Sequence, residues 1–162
     1  MKYAIVYSSR TGNTKQLAET IQAALPAEDC IYFGAPAEEA LAAERIYVGF
    51  WTDKGSCDKL TADFLKQLTN QQVYLFGTAG FGESQEYFDK VLKHAAKNIG
   101  KNAKIAGSYM CQGKMPMTVR ERYVKMMKSP IHIPNLQGMI ENFDKALTHP
   151  DAQDLEALKA QL

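Results

Sequence analysis

The feature that constrains this chain most is a regular alternation between short apolar runs and longer segments of helical period. Five runs have the length of a strand: Tyr3–Tyr7, Cys30–Phe33, Arg45–Phe50, Gln72–Thr78 and Lys104–Cys111. They are nearly continuous in apolar residues, which is typical of parallel strands covered on both faces. The sequence therefore predicts an α/β protein with a doubly wound, five-stranded parallel sheet and helices on both faces.

Residues 113–162 depart from this alternation. Helical patterns follow one another there without a further strand, separated by a proline-bounded break at Ser129–Pro134 and by Pro150. Since no linker or repeat divides the chain, we expect residues 1–162 to form a single domain in which residues 113–162 are a helical C-terminal extension.

Composition narrows the classes of function. The 162 residues carry a formal net charge of +1, with basic and acidic residues interleaved, which argues against binding to nucleic acid. The three cysteines and three histidines show neither a disulfide framework nor metal-ligand spacing. The N-terminus leads directly into a strand, and no apolar run approaches the roughly 20 residues of a membrane span. We expect a monomeric cytoplasmic protein without a metal.

A run of small and polar residues follows the first predicted strand and leads into a helix. It comprises Ser8, Ser9, Arg10, Thr11, Gly12, Asn13 and Thr14. Its hydroxyls can donate hydrogen bonds, and the N–H groups at a helix N-terminus favour an anion. In an open α/β sheet, ligands bind beyond the carboxyl ends of the strands, where this loop lies. A cap alone needs one hydroxyl rather than four, so the loop predicts a phosphate site.

The stretch SSRTGNT resembles the phosphate-binding loop of flavodoxins, whose pattern is [ST]-x-[ST]-G-x-T after the first strand. It has neither the lysine of a Walker loop nor a G-x-G-x-x-G pattern. The resemblance implies a short-chain flavodoxin-like fold with strand order 2-1-3-4-5. It also implies that flavin mononucleotide (FMN) binds non-covalently, with its 5′-phosphate in this loop.

Two further segments resemble the loops with which flavodoxins hold the flavin ring. The segment after the third strand contains Trp51, Thr52, Asp53, Lys54 and Gly55. The segment after the fourth strand contains Thr78, Ala79, Gly80, Phe81 and Gly82, with Tyr87 behind it. The resemblance implies that Trp51 stacks on the ring, that Phe81 covers its other face, and that the backbone of the second loop contacts its polar edge.

The stretches GKMPM and ENFDKALTHPD of the extension, together with FWTDKGSCD and LFGTAGFG before it, resemble a small bacterial branch of flavodoxin-like proteins that includes one associated with bilirubin reduction. This resemblance implies that residues 113–162 pack on or near the flavin edge. Four basic side chains could supply a rim for an acidic partner: Arg120, Arg122, Lys125 and Lys128. An ordinary amphipathic helix packed on the sheet explains the same pattern equally well.

Two functions remain open at this point. The first is an electron-transfer protein that shuttles single electrons between a reductase and an acceptor enzyme, such as a bilirubin or tetrapyrrole reductase. In that role the flavin performs the redox chemistry, and no side chain acts as an acid, base or nucleophile. The second is an FMN-dependent oxidoreductase that acts directly on a small molecule, such as a quinone or a tetrapyrrole. A receiver domain is set aside because Ser8 and Ser9 replace its acidic residues.

Overall fold

A computed structural model describes residues 1–81 and 84–162 and shows one parallel sheet of five long strands. These strands are β1 (Tyr3–Tyr7), β2 (Cys30–Gly34), β3 (Arg45–Asp53), β5 (Gln72–Ala79) and β6 (Lys104–Gln112). Their order is β2-β1-β3-β5-β6, and a two-residue strand, β4 (Ser56–Cys57), pairs antiparallel with the end of β3. The predicted order 2-1-3-4-5 of the long strands is confirmed.

The described residues form six α-helices beside the sheet. They are α1 (Asn13–Ala24), α2 (Lys59–Leu65), α3 (Gln85–Ala96), α4 (Met117–Met127), α5 (Leu136–Ala146) and α6 (Ala152–Lys159). Two short 3-10 helices, Ala27–Asp29 and Glu38–Ala42, flank β2. The side chain of Ser84 caps α3 by accepting a hydrogen bond from the backbone N–H of Tyr87 at 3.2 Å, as a helix start with serine favours.

Each face of the sheet carries its own core. On one face, Ile5 and Phe76 pack with Leu17 and Ile21 of α1 and with Leu158 of α6. On the other face, the alternate strand residues Val6, Val48 and Leu75 pack with Phe64 of α2 and Val91 of α3. Because successive strand residues point to opposite faces, strands covered on both sides must be apolar at nearly every position. This explains the continuous apolar runs.

The last helix differs from the expected extension. α6 packs against α1 and the sheet, where Leu158 is fully buried and the Tyr109 hydroxyl donates to the Asp154 carbonyl at 2.8 Å. Only the segment with α4 and α5 departs from the sandwich of helices and sheet. The reason is that α6 buries its apolar stripe on the sheet face beside α1, whereas α4 and α5 bury theirs mainly against each other.

The pair α4–α5 has a small core of its own, in which Tyr123 packs against Leu136 and Ile140. An ion pair joins the two helices, with Arg120 Nε 2.8 Å from Asp144 Oδ1. The pair is held to the carboxyl edge of the sheet by Asn142 of α5, which donates a hydrogen bond to the Gly80 carbonyl at 2.9 Å. The helix pair therefore stands beside the edge at which ligands bind in open α/β sheets.

Candidate functional site

A cavity of about 530 Å³ opens at the carboxyl ends of β1, β3 and β5. It is lined by every residue predicted for the site except Ser8, Gly12 and Gly82. Ser8 and Gly12 line a shallower neighbouring cavity together with Ser9, and Gly82 lies outside the described residues. The segments after β1, β3 and β5, which are distant in sequence, thus border one cavity. This cavity lies where the strand order reverses, because β2 lies on one side of β1 and β3 on the other.

The loop before α1 turns two backbone N–H groups towards one point. Gly12 adopts φ +88°, a conformation that a glycine reaches without strain, and α1 begins at the next residue. The Ser9 hydroxyl oxygen accepts hydrogen bonds from the backbone N–H groups of Gly12 at 3.1 Å and Lys15 at 3.3 Å. The N–H of Gly12 lies at the N-cap position and that of Lys15 in the first turn, where the helix dipole also favours negative charge. An anion bound here would use these same donors.

Thr14 differs from the expectation that all four hydroxyls of the loop face the ligand. Its side chain is 1% exposed, and its hydroxyl donates to the Phe50 carbonyl at 3.0 Å. The Thr78 hydroxyl lies 3.2 Å from the Thr14 hydroxyl and completes the contact. The hydroxyl therefore joins β3, β5 and the start of α1 beneath the loop, because a buried hydroxyl must find partners inside the protein.

The segment after β6 forms a further wall, in which the sequence analysis names no individual site residue. Asn13 Nδ2 donates to the Lys114 carbonyl at 2.8 Å, and the Thr11 hydroxyl donates to the same oxygen at 3.4 Å. A Cβ atom added to Gly113 would lie 2.5 Å from Asn13 Nδ2, so this contact requires a glycine. In the sequence, the glycine directly after the strand, in Gln112-Gly113-Lys114, is the one signal that the backbone approaches another segment closely here.

Trp51, Thr52 and Asp53 do not form the loop that the sequence suggested. They continue β3, and the chain then reverses at Lys54 and Gly55, whose φ angles are +51° and +80°. Two successive residues with positive φ make the tight hairpin turn that matches the twist of the strands, and β4 returns from it. The Thr52 hydroxyl donates to the Thr78 carbonyl at 2.8 Å, which ties the hairpin to β5.

Trp51 of the hairpin lines the cavity, and the guanidinium of Arg10 lies over its ring. The guanidinium carbon of Arg10 lies 5.4 Å from the centre of the Trp51 ring, within the range of a cation–π contact. Arg10 was predicted as part of the phosphate loop, and the structure brings it to the aromatic wall as well. A flat ligand stacked on Trp51 would therefore share the ring face with this guanidinium or move it aside.

The second ring segment is held from α5. Thr78 and Ala79 end β5, and only Gly80 and Phe81 of the described residues begin the loop. The Gly80 carbonyl accepts hydrogen bonds from Asn142 Nδ2 at 2.9 Å and from Gln112 Nε2 at 3.2 Å. Gln112 Nε2 also lies 3.1 Å from Asn142 Oδ1, so the two amides and the carbonyl form a closed network.

Helix α4 and the residues before it complete the cavity. They contribute Gly113, Lys114, Met115, Pro116, Val119, Arg122 and Tyr123. Burial raises the pKa of the Tyr123 phenol, which therefore stays neutral at physiological pH. No local motif marks these residues as site residues; their place depends on the packing of α4 against α5.

One group of potential metal ligands occurs among the described residues, outside the cavity. Atoms of His149, Asp151 and Asp154 lie within 4.8 Å of one another. The two carboxylates cap α6 reciprocally: Asp151 Oδ1 accepts from the Asp154 N–H at 2.9 Å, and Asp154 Oδ2 from the Asp151 N–H at 2.8 Å. His149 Nδ1 lies 2.7 Å from Asp154 Oδ2. This capping box explains the cluster, and the absence of a metal stays a prediction.

Within the part of the chain that the structure describes, no helix combines the length and the apolar character needed to cross a bilayer.

Known proteins match this sequence over nearly its whole length. A sequence profile of the flavodoxin domain matches residues 4–162. The flavodoxin-like domain-containing protein BilS of Clostridium symbiosum (strain WAL-14163) is 43% identical over 176 aligned residues, which cover 98% of this chain and 93% of the relative. BilS of Clostridioides difficile (strain CD3) is 31% identical and covers 96% of this chain and 90% of that protein.

A solved structure of a Lactobacillus acidophilus flavoprotein in complex with FMN shares the fold. It has a TM-score of 0.51 and 16% sequence identity, and it covers 67% of this chain and 92% of that one. The strand order and the profile match point to the same family, and the loop before α1 carries the sequence pattern of that family. The chain belongs to the flavodoxin family.

Proposed function

We propose that this protein binds FMN non-covalently in the cavity at the carboxyl edge of the sheet. In this proposal it shuttles single electrons between a reductase and an acceptor enzyme. The observation that carries the proposal is that one cavity of about 530 Å³ joins the anion-binding loop before α1 to the aromatic wall at Trp51. FMN has these two parts, a phosphate and a planar ring, joined by a short polar chain.

The loop before α1 would hold the phosphate. The N–H groups of Gly12 and Lys15, which now donate to Ser9, are directed towards one point at the start of the helix. Thr11 adds a hydroxyl and Arg10 adds a positive charge at the cavity wall. These neutral and cationic donors suit a phosphate dianion without requiring a metal or a Walker lysine.

The other end of the cavity would hold the ring. Trp51 on β3 supplies a planar wall, and Phe81 and Tyr87 lie on the side of the loop after β5. When bound, FMN supplies the redox chemistry through its isoalloxazine ring, and the protein binds, orients and partly shields it. Asp53 is the single acidic residue among the described lining residues, against the basic Arg10, Lys54, Lys114 and Arg122. Such an excess of positive charge favours an anionic cofactor.

The acceptor enzyme that we propose is a bilirubin or tetrapyrrole reductase. The support is the resemblance of residues 113–162 to the branch associated with bilirubin reduction, together with the two relatives that carry the name BilS. The protein would work as a monomer in the cytoplasm, as expected for a carrier that alternates between partners.

A second candidate function is an FMN-dependent oxidoreductase that acts directly on a quinone or a tetrapyrrole. The position of α4 favours it, because Val119, Arg122 and Tyr123 extend the cavity wall beyond the ring segments. A wall of this kind could hold a small substrate over the flavin. In the carrier function the same wall would shield the ring and leave one edge open to a partner.

Titration of the cofactor-free protein with FMN tests the first step, with the fluorescence of Trp51 as the readout. We expect one FMN per chain and strong quenching, because Trp51 is the only tryptophan. A protein that takes up no FMN would contradict the proposal. Steady-state assays then separate the two functions. A carrier oxidises NADPH with menadione or bilirubin only slowly unless a reductase is added, whereas an oxidoreductase turns over without one.

A further inference from the structure

Arg10 has an unexpected place for a residue of an anion-binding loop. It is the one basic residue between Ser8 and Thr14, and its guanidinium carbon lies 5.4 Å from the centre of the Trp51 ring on β3. Both side chains line the cavity, and Arg10 is exposed whereas Trp51 is partly buried. The loop therefore brings its positive charge to the aromatic wall of the cavity and not only to the start of α1.

The contact with Trp51 is the one interaction that the structure gives this guanidinium. Within residues 1–81 and 84–162, the Arg10 side chain forms neither a hydrogen bond nor an ion pair. Arg120 shows the contrast, because its Nε atom lies 2.8 Å from Asp144 Oδ1. A guanidinium is always charged, and a carboxylate partner would offset that charge. The charge of Arg10 is thus available to a ligand at the aromatic wall.

The other charged residues of the cavity leave a positive excess. The hairpin at the aromatic wall carries Asp53 and Lys54, whose opposite charges offset each other in part. Lys114 and Arg122 line the wall formed by the segment after β6 and by α4. Among the described lining residues, Arg10 is therefore the cation with a defined contact to the aromatic wall.

We infer that Arg10 stabilises the reduced form of the cofactor and so raises its reduction potential. This inference rests on the proposed function, in which the flavin ring stacks on Trp51. Complete reduction takes two electrons, passed singly from the reductase, and one proton from solution, and it leaves the neutral ring with one negative charge. A guanidinium beside the ring interacts more favourably with the negative form than with the neutral one. The equilibrium therefore shifts towards reduction.

A guanidinium placed on the phosphate would act differently. The phosphate carries the same charge in the oxidised and the reduced cofactor, so a contact with it strengthens the binding of both forms about equally. The reduction potential of the bound cofactor depends only on the ratio of the two affinities. A measured potential therefore distinguishes a cation at the ring from a cation at the phosphate.

The test compares Arg10→Gln, which removes the charge, with Arg10→Lys, which keeps it. Lys97→Gln is the control for net charge, because this exposed lysine lies between α3 and the start of β6, away from the carboxyl edge of the sheet. Each FMN-loaded protein is reduced stepwise with dithionite in the presence of a dye of known potential, and absorption follows both. Isothermal titration measures the affinity of each protein for oxidised FMN.

At low ionic strength we expect Arg10→Gln to lower the equilibrium constant for the two-electron reduction about tenfold, which corresponds to about 30 mV. Arg10→Lys should keep most of the wild-type potential, and Lys97→Gln should change the constant by about twofold or less. The affinity for oxidised FMN should change less than the constant for reduction does. Added salt should diminish the effect of Arg10→Gln, because the side chain is exposed and its charge is screened.

An unchanged potential in Arg10→Gln would overturn the inference, and a weaker binding of oxidised FMN in that variant would then assign the guanidinium to the phosphate. Equal shifts in Arg10→Gln and Lys97→Gln would also overturn it, since net charge alone would explain them. Circular dichroism should show the same fold in every variant, because both side chains are exposed. Failure of the proposed function would appear differently: the wild-type protein itself would take up no FMN.

Discussion

The loop Ser8–Thr14 and the helix pair α4–α5 border the same cavity, but different kinds of contact hold them in place. The loop follows directly from its sequence: a strand ends, Gly12 adopts φ +88°, and the Ser9 hydroxyl engages the first turn of α1. The helix pair is placed by contacts between residues far apart in sequence, such as Asn142 with Gly80 and Arg120 with Asp144. One wall of this cavity is therefore set by residues that are neighbours in sequence, and the other by tertiary contacts.

This difference also divides the expected tasks. The loop and the β3 hairpin would define what binds, since they offer the anion donors and the aromatic plane. The helix pair would define how much of the cavity stays open, since Val119, Arg122 and Tyr123 of α4 cover one side of it. Substitutions can separate these tasks, and the predictions below run from the largest expected effect to the smallest.

Replacing Thr14 with valine should have the largest effect on stability. The substitution keeps the shape of the side chain but leaves the buried Phe50 carbonyl and Thr78 hydroxyl without their partner. We expect a loss of about 2–3 kcal/mol in the free energy of unfolding, measured by urea denaturation. Thr20→Val on the same helix is the matched control, because its hydroxyl bonds only to the Gln16 carbonyl within the helix. Equal losses would show that Thr14 has no special anchoring role.

Replacing Asn142 with leucine should weaken the link between the helix pair and the loop after β5. The Gly80 carbonyl would keep only its bond from Gln112, so we expect a loss of about 1–2 kcal/mol in stability. FMN affinity should fall as well, because the loop proposed to contact the ring would be less firmly held. Isothermal titration with FMN measures this. Gln137→Leu, on an exposed side of the same helix, is the control, and unchanged FMN affinity in Asn142→Leu would separate the helix pair from cofactor binding.

Replacing Trp51 with alanine should affect the cofactor more than the fold. The side chain is only partly buried, whereas aromatic stacking contributes about 0.5–1.5 kcal/mol beyond area burial. We therefore expect FMN affinity to fall by roughly tenfold or less and the reduction potential of the bound flavin to shift, with little change in the urea midpoint. Potentiometric titration checks the shift. An unaltered potential in the variant would mean that the ring does not rest on Trp51.

Replacing Arg120 with glutamine should have the smallest effect and depend on pH. The hydrogen bond from Arg120 lowers the pKa of Asp144 below its usual 3.8, so the ion pair stabilises the fold above that value. The contribution is lost as the pH falls through the lowered pKa. Urea midpoints at pH 7 and pH 3 should thus differ more for the wild type than for the variant. Both groups are exposed, so the effect should be small, like that of Lys59→Gln, which breaks the exposed pair with Asp63 on α2.

The sheet and the turn that leads into α1 could be predicted because their signals are local. Continuous apolar runs reflect burial on two faces, and hydroxyls with glycine at the end of a strand reflect a turn that opens onto a helix. The hairpin at Trp51 was predicted as a loop because Thr52 to Gly55 are polar or small. Only the pairing of Thr52 with Cys57 reveals it as strand.

Other features depended on contacts that a single sequence does not reveal. Leu60 has the helical spacing to share a buried face of α2 with Phe64, but it is 53% exposed, and Thr61 is the buried residue of that first turn. α6 has the apolar spacing of a helix, but that spacing does not say whether Leu158 packs on the sheet or over the site. Gln112 and Asn142 lie 30 residues apart, and nothing near either residue indicates that they meet at Gly80.

The hydroxyl of Ser9 has a consequence for how the cofactor exchanges. By accepting from the N–H groups of Gly12 and Lys15, it acts as an internal substitute for a phosphate oxygen. In the proposed site, a bound phosphate would replace this neutral acceptor by a stronger, charged one. The affinity of the site would then depend on the difference between the two acceptors.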